Sequence, residues 1–178
     1  MGAVTQPPFA LWITGLPASG KSSIVAQLTP KLEALGMGAE VLESDALRRI
    51  LTPSPTYSIE ERDLFYRAVA FMGSRLLARG MNVIFDATAS RRAYREFARI
   101  LMPQMLEVSI ECPLEVCMER DKKGTYRRGL EGKSSTVPGL QEPYEAPLAP
   151  ALAIDTTVVS PEAAAEQILA LIRSRLPV

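Results

Sequence analysis

The apolar residues of this chain come in short runs that are separated by longer amphipathic stretches. Five runs have the length and the β-branched or aromatic content of single strands. They span residues 9–14, 39–43, 82–86, 106–111 and 151–156. Five longer stretches have helical periodicity, and they span residues 21–35, 59–79, 91–102, 114–120 and 161–175. Alternating strands and helices predict right-handed βαβ units, so we expect an α/β fold with a mostly parallel sheet and helices on both faces.

Two prolines bear on the predicted helices. Ser160, Pro161 and Glu162 supply an N-cap, a first-turn proline and a first-turn acid, which predicts the start of the last helix. Pro30 lies inside the first helical stretch, where proline removes a backbone hydrogen bond. We therefore expect a kink or a second segment at that point. The length of the chain suits one domain over residues 1–178.

The first apolar run leads directly into the sequence GLPASGKSS at residues 15–23, which matches G-x-x-x-x-G-K-S. Glycines let successive backbone N–H groups point at phosphate oxygens, and the next helix directs its positive dipole end at the same anion. The alternative is a tight strand-to-helix turn that happens to be rich in glycine. The preceding β-rich run and the following amphipathic stretch favour a nucleotide site. Its predicted binding residues are Gly15, Leu16, Pro17, Ala18, Ser19, Gly20, Lys21, Ser22 and Ser23.

Catalytic and metal-binding residues are predicted at the ends of the first three strands, because ligands bind at the carboxyl ends of the strands in a parallel sheet. Lys21 is expected to reach the β- and γ-phosphates of ATP and to be catalytic, and the Ser22 hydroxyl to ligate Mg²⁺. Asp45 and Asp86 follow the second and third strands. Either carboxylate can hold Mg²⁺ or accept the proton of an attacking hydroxyl, and helix capping is the alternative for both. Arg48 lies one helical turn after Asp45.

A basic segment punctuated by glycine covers residues 119–139 and has little apolar periodicity. We interpret residues 121–139 as a lid that closes over an anionic substrate and excludes water. A solvated surface loop is the alternative, because runs of charge usually face solvent. The basic side chains of this segment include Lys122, Lys123, Arg127, Arg128 and Lys133.

Composition narrows the class of function. The formal net charge is zero and the pI is about 6.4, so we expect neither a nucleic-acid nor a membrane partner. No apolar run approaches 18 residues and no signal-peptide layout is present, which predicts a cytoplasmic protein. The absence of histidine excludes His-dependent triads and metal sites. Cys112 and Cys117 are expected to be reduced, buried thiols.

From Phe9 to about Ile172 the sequence resembles the adenylylsulfate (APS) kinase family. The stretches CPLEVCMERDKKGTYRRGLEGK and GLQEPYEAPLAPALAIDT are similar to the family patterns P-L-E-V-C-x-x-R-D-x-K-G-L-Y and G-I-D-x-P-Y-E-A-P-x-x-P. The resemblance implies a P-loop kinase fold that binds Mg-ATP and places Arg120 near the adenine. It implies transfer of the γ-phosphoryl group of ATP to the 3′-hydroxyl of adenosine 5′-phosphosulfate.

The resemblance also assigns residues to the acceptor side. Asp45 matches the second aspartate of D-G-D-N-V-R and Arg48 its arginine, while Arg62 matches the arginine of F-S-x-E-D-R. The chain departs from the family where Phe65 replaces an asparagine, and where Thr88, Ala89 and Ser90 replace I-S-P. In K-G-F-T-G, Ser135 replaces the lysine and Val137 the adenine-stacking phenylalanine. The predicted substrate residues are Arg48, Arg62, Phe65, Thr88 and Lys133.

These departures lead us to expect that adenosine 5′-phosphosulfate is a poorer substrate than for the family, or that another hydroxyl acceptor is used. A nucleotide, a sugar or a sugar nucleotide is the alternative acceptor, as in the broader P-loop kinases that the D-A-T sequence before Arg91, Arg92 and Arg95 resembles. These three arginines would bind an acceptor phosphate or contact the lid, unless they form an exposed helix face paired with Glu96.

A nucleotide-binding switch without phosphotransfer is a further alternative. The D-x-x-G pattern at Asp121 matches such proteins, but the chain contains no N-K-x-D guanine motif. The acceptor is expected to be a small molecule, and a homodimer is left open.

Overall fold

The computed structural model of the chain describes residues 7–175, which form one five-stranded sheet with the order β2-β3-β1-β4-β5. All four neighbouring strand pairs are parallel. The strands are β1 Ala10–Gly15, β2 Ala39–Glu43, β3 Asn82–Asp86, β4 Leu106–Glu111 and β5 Leu152–Asp155. Each lies within two residues of its predicted position, which confirms the parallel α/β fold.

Helices cover both faces of the sheet. They are α1 Lys21–Ala34, α2 Ser44–Leu51, α3 Ile59–Leu77, α4 Arg92–Leu101, α5 Leu114–Glu119, α6 Thr125–Leu130 and α7 Pro161–Arg175. Alternate residues of β1 point to opposite faces, as the pleat of a strand requires. Leu11 and Ile13 pack with α1 and α7, whereas Ala10 and Trp12 pack with α3 and α4.

Five helices were predicted and two were not. Helix α2 lies in a segment to which no element was assigned, although Arg48 was placed one helical turn after Asp45, and α6 lies in the predicted lid. The expected break at Pro30 does not occur as a second segment, because α1 runs through this residue as one helix. The predicted start of α7 is confirmed, since the Ser160 hydroxyl accepts a hydrogen bond from the N–H of Ala163 at 3.2 Å.

The two cysteines are free thiols, as predicted. Cys117 is fully buried, and its burial raises the pKa of the thiol to about 12. Cys112 is half-buried, and its sulfur accepts a hydrogen bond from Arg120 Nη1 at 3.6 Å. Within residues 7–175, no helix is both long enough and apolar enough to cross a membrane.

Gly73 of α3 packs tightly against Phe85 of the sheet, and its replacement by alanine is expected to destabilise the protein. A Cβ atom there would lie 2.2 Å from Cζ of the buried Phe85, and overpacking of this kind costs about 1–3 kcal/mol. Urea unfolding measures the loss. Gly38→Ala is the matched control, because its Cβ would meet only Glu33 Cγ, at 3.8 Å. Equal stability of the two variants would contradict the packing described here.

Candidate active site

The phosphate loop joins the carboxyl end of β1 to the first turn of α1. Gly15 packs so closely against β4 that a Cβ atom there would lie 2.6 Å from a backbone carbonyl oxygen. Ala18 and Gly20 have φ angles of 59° and 104°, in the left-handed region. The loop curls back, so that the N–H of Ser19 donates to the carbonyl oxygen of Leu16 at 3.2 Å. This geometry lets backbone N–H groups and the positive end of α1 bind phosphate oxygens.

Lys21 is buried beside this loop and is only 8% exposed. Its Nζ donates to the carbonyl oxygens of Gly15 at 3.0 Å and Leu16 at 2.8 Å. Burial lowers the pKa of Lys21, and the negative charges of Asp86 and then Asp45 partly oppose that lowering. Because both carboxylates act on one ammonium group, the structure brings the two predicted acids together at the phosphate loop.

The two carboxylates differ in their surroundings. Asp86 is the last residue of β3 and is buried, whereas Asp45 lies in the first turn of α2 and is half-exposed. Lys123 of the predicted lid donates from Nζ to Asp45 Oδ2 at 2.6 Å, and this hydrogen bond raises the pKa of Lys123. Among the described residues, Lys123 is the hydrogen-bond partner of the Asp45 side chain, which therefore does not act as a helix cap.

The site can hold Mg²⁺ only with ligands from a substrate or from water. Over residues 7–175, no group of three or more acidic or cysteine side chains is placed to bind a metal ion. Ser22 is exposed on the first turn of α1, and Asp45 and Asp86 lie near the neighbouring Lys21. Mg²⁺ is usually bound through one or two carboxylates together with phosphates and waters. The residues present fit that arrangement.

A cleft of about 690 Å³ opens beside the phosphate loop, between α2, α3 and the lid. Asp45 is the acidic residue of its lining. The basic residues that line it are Arg48, Arg49, Arg62, Lys123, Arg128 and Lys133. The excess of positive charge favours a polyanionic occupant. Three predicted substrate residues, Arg48, Arg62 and Lys133, are thus brought together, and Thr88 also lines the cleft.

Arg62 is a buried cation, 5% exposed, for which the described residues supply no carboxylate partner. Its Nε donates to the carbonyl oxygen of Tyr57 at 3.0 Å, and its Nη2 to that of Thr136 at 2.5 Å. A buried charge is costly unless it is paired. The lining therefore contains a buried guanidinium group whose partners among the described residues are carbonyl oxygens.

Arg48 is the buried residue of α2, and aromatic side chains surround it. Its guanidinium carbon lies 3.9 Å from the ring centre of Phe65 and 5.0 Å from that of Tyr57, and Nη1 contacts Glu61 Oε1 at 3.2 Å. Phe65 is only 2% exposed and is not part of the cleft lining. The structure therefore places Phe65 beneath Arg48 and not in contact with the cleft itself.

The loop after β3 carries Thr88 and is held in an unusual conformation. The Thr14 hydroxyl donates to the carbonyl oxygen of Thr88 at 2.6 Å, and the Ala89 N–H donates to the Tyr66 hydroxyl at 3.1 Å. Ala89 has a φ of 42°, which a non-glycine residue rarely adopts. These bonds fix the loop at the edge of the cleft.

Arg91, Arg92 and Arg95 hold the segment that follows the lid. Arg91 Nε pairs with Glu142 at 3.1 Å, and the backbone N–H of Arg92 donates to the Glu145 carboxylate at 2.7 Å. The alternative of an exposed face paired with Glu96 is wrong for Arg95. That residue is buried, and it donates to Glu107 Oε1 at 2.6 Å, to the carbonyl oxygen of Glu145 at 2.6 Å and to the carbonyl oxygen of Ala89.

The predicted lid packs against the phosphate loop through an apolar cluster. Cys117, Tyr126 and Val137 are its buried members, and Leu16 packs against them. The Tyr126 hydroxyl donates to the carbonyl oxygen of Pro17 at 3.0 Å. The alternative of a fully solvated loop is therefore wrong for this part of the lid. Although the segment has little apolar periodicity, it contains the short helix α6, in which Tyr126 and Gly129 are buried.

Arg120 is not part of the cleft lining and approaches the phosphate loop through Thr156. Its guanidinium group donates to the Thr156 hydroxyl at 3.2 Å and to the Thr156 carbonyl oxygen at 3.0 Å. The Thr156 hydroxyl in turn donates to the carbonyl oxygen of Ser19 at 2.9 Å. Arg120 is therefore connected to the phosphate loop through Thr156, and its place near the adenine stays a prediction.

Sequence reasoning overlooked Tyr57. This residue lines the cleft and has a φ of 55°. The signal was present in YSIEER, where Tyr57 takes the position of the phenylalanine in F-S-x-E-D-R, but only Arg62 was taken from that match.

Comparison with known proteins gives one consistent result. The family model for adenylylsulphate kinase matches residues 7–155. A probable adenylyl-sulfate kinase of Archaeoglobus fulgidus is 40% identical over 148 residues, which is 83% of this chain and 96% of that protein. The adenylyl-sulfate kinase of Rippkaea orientalis is 36% identical over 145 residues, covering 82% of this chain and 80% of the relative.

Solved structures agree with these matches. The APS kinase of Mycobacterium tuberculosis, in complex with AMPPNP and APS, superposes with a TM-score of 0.88 at 29% identity. The superposition covers 94% of this chain and 98% of the M. tuberculosis chain. A shikimate kinase from Acinetobacter baumannii has a TM-score of 0.62 at 18% identity, and this likeness extends to the fold alone.

Proposed function

Because the chain belongs to the adenylylsulphate kinase family, we propose that it transfers the γ-phosphoryl group of ATP to the 3′-hydroxyl of adenosine 5′-phosphosulfate. The observation that supports the proposal is that the predicted nucleotide site and the basic cleft are adjacent. The phosphate loop opens directly into a basic cleft that contains the buried guanidinium group of Arg62. Membership in a kinase family argues against the alternative of a nucleotide switch.

The donor side is formed by the phosphate loop. Its backbone N–H groups and Lys21 would bind the β- and γ-phosphates. Arg120 and Thr156 are not part of the cleft lining, and they reach the loop through the carbonyl oxygen of Ser19. Mg²⁺, held by Ser22 with Asp45 and Asp86 nearby, would neutralise charge on the phosphates. Lys21 can then move its hydrogen bonds from the carbonyl oxygens of Gly15 and Leu16 to phosphate oxygens.

The acceptor side is the basic cleft. Arg62 and Arg48 are placed to bind the anionic end of the acceptor, and Lys133 adds charge from the lid. The ring of Tyr57 lines the cleft and can stack on a planar base. Val137 also lines the cleft, but it is an aliphatic residue largely buried in the apolar cluster with Cys117 and Tyr126, so it supplies no second aromatic surface.

In the transfer step, the 3′-hydroxyl oxygen attacks the γ-phosphorus while Asp45 accepts the hydroxyl proton. The bond from the γ-phosphorus to the bridging oxygen breaks, and ADP leaves. Lys123, 2.6 Å from Asp45, adds positive charge where negative charge develops on the transferred group. The lid limits access of water, so hydrolysis of ATP is suppressed.

The proposal is tested by incubating the purified protein with Mg-ATP and adenosine 5′-phosphosulfate, and by measuring formation of ADP and of the 3′-phosphorylated product. We expect turnover with a KM above the family norm, because Val137 and Ser135 remove contacts that the family pattern supplies. Nucleotides, sugars and sugar nucleotides are screened in parallel. Efficient turnover of one of them, with none of adenosine 5′-phosphosulfate, would overturn the assignment of the acceptor. A homodimer remains a prediction, which sedimentation analysis would test.

A further inference from the structure

Tyr57 is held in a backbone conformation that a residue with a side chain seldom adopts. Its φ is 55°, and its ring, 37% exposed, lines the cleft. Conformations of this kind persist only where surrounding interactions fix them, and they cluster at ligand-binding sites. Within residues 7–175, the other non-glycine residues with positive φ are Ala18 and Ala89, and they also lie next to the cleft, in the phosphate loop and in the loop after β3.

The side chain of Glu61 fixes this segment. Its carboxylate accepts hydrogen bonds from the Thr56 N–H at 2.6 Å, the Thr56 hydroxyl at 2.7 Å and the Tyr57 N–H at 3.2 Å. The Ser58 hydroxyl accepts from the backbone N–H of Glu61 at 3.2 Å. This is the reciprocal pattern of a capping box, except that the glutamate reaches the two residues before the N-cap.

The same carboxylate binds a second residue of the cleft. Glu61 Oε1 lies 3.2 Å from Arg48 Nη1, and the guanidinium carbon of Arg48 lies 5.0 Å from the ring centre of Tyr57. Burial alone would raise the pKa of Glu61, but the bonds from Thr56 and Tyr57 and the charge of Arg48 hold it below its usual value. Glu61 therefore stays ionised and connects two side chains of the cleft without lining it.

We propose that Glu61 is a positioning residue for the acceptor. It fixes the ring of Tyr57 and the guanidinium group of Arg48 as one wall of the cleft, against which a planar, anionic acceptor binds. The inference rests on the proposed function, because it takes the acceptor to be a nucleotide. Of the aromatic residues that line the cleft, Tyr57 is exposed and Tyr66 is buried, so stacking on the acceptor depends on the position of Tyr57.

The test compares Glu61→Ala with Glu60→Ala. Glu60 is exposed and lies in the same first turn of α3, so the control removes the same side chain beside the network. For Glu61→Ala we expect the KM for adenosine 5′-phosphosulfate to rise about 10- to 100-fold, the range that loss of one stacking contact supports. The affinity for ADP, measured by calorimetry, should change less than about twofold. Glu61→Asp should restore part of the loss, because it returns the charge.

A second measurement does not depend on turnover. In protein labelled with 3-fluorotyrosine, the resonance of Tyr57, assigned with Tyr57→Phe, should shift and broaden in Glu61→Ala and stay unchanged in Glu60→Ala. An unchanged resonance, or equal losses of affinity for acceptor and ADP, would overturn the proposal. If the wild type does not phosphorylate adenosine 5′-phosphosulfate, the proposed function fails, while the fluorine spectra still decide whether Glu61 positions Tyr57.

Discussion

Lys21→Ala is expected to abolish phosphoryl transfer while the fold remains intact. The ammonium group is the buried cation of the phosphate loop, and charge stabilisation of the transferring phosphoryl group is commonly worth about 10³-fold or more. The pKa of Lys21 is lowered in the folded state. Because this pKa is lower in the folded than in the unfolded state, the charge of the ammonium group opposes folding, so removing it should not unfold the protein.

The measurement pairs steady-state turnover with thermal unfolding followed by circular dichroism. Lys31→Ala is the control. Lys31 lies on the same helix, but in its last turn, where Nζ contacts Glu166 of α7 at 2.6 Å and not the phosphate loop. We expect full turnover in the control and similar unfolding temperatures in both variants. Unchanged turnover of Lys21→Ala would refute the kinase assignment.

Asp45→Asn is expected to lower kcat by about 10² to 10⁴ while nucleotide affinity stays nearly constant. The substitution keeps the shape of the side chain but removes the proton acceptor and the charge that binds Lys123. Asp86→Asn should instead raise the concentration of Mg²⁺ that is needed for turnover. Both follow from the placement of Asp45 in the cleft lining and of Asp86 at the buried end of β3.

Turnover and nucleotide affinity are measured for both variants across a Mg²⁺ titration. Glu43→Gln is the control, because Glu43 also lies near Lys123, at 4.0 Å. The substitution removes a carboxylate charge at that distance from a residue that is not proposed as the base. A result in which Asp45→Asn turns over normally while Asp86→Asn is inactive at saturating Mg²⁺ would reverse the two roles.

The strands, the phosphate loop and five helices could be predicted because each depends on local pattern. Buried strands between two helical layers are continuous apolar runs, and α1, α3 and α7 are long enough for their periodicity to be visible. The strand order was not predicted, because it follows from packing between distant segments. Lys21 was predicted from the phosphate-loop motif, and Asp45 and Asp86 because parallel strands deliver their carboxyl ends to one edge of the sheet.

The features that were missed share a physical cause: in each case the residue type is a poor guide to whether the residue is buried. Arg95 is fully buried because its charge is satisfied by Glu107 and two carbonyl oxygens, and neither acceptor binding nor the alternative of an exposed helix face anticipated that burial. Phe65 was expected to contact substrate and instead lies under Arg48. In α6, Gly129 fits where a Cβ atom would lie 2.9 Å from Leu140, so a glycine taken as a loop signal is a packing residue.

Helix α2 buries a charged residue and exposes an apolar one, because Arg48 is buried and Ile50 is 78% exposed. It therefore draws little hydrophobic stabilisation from the core and depends on the guanidinium group, its aromatic neighbours and Glu61. Segments of this kind open by sub-global fluctuation well below the free energy of complete unfolding. We expect the amide hydrogens of α2 to exchange with solvent earlier than those of α1 and α7, and to slow when the cleft is filled. The wall of the cleft would then be completed by the molecule it binds.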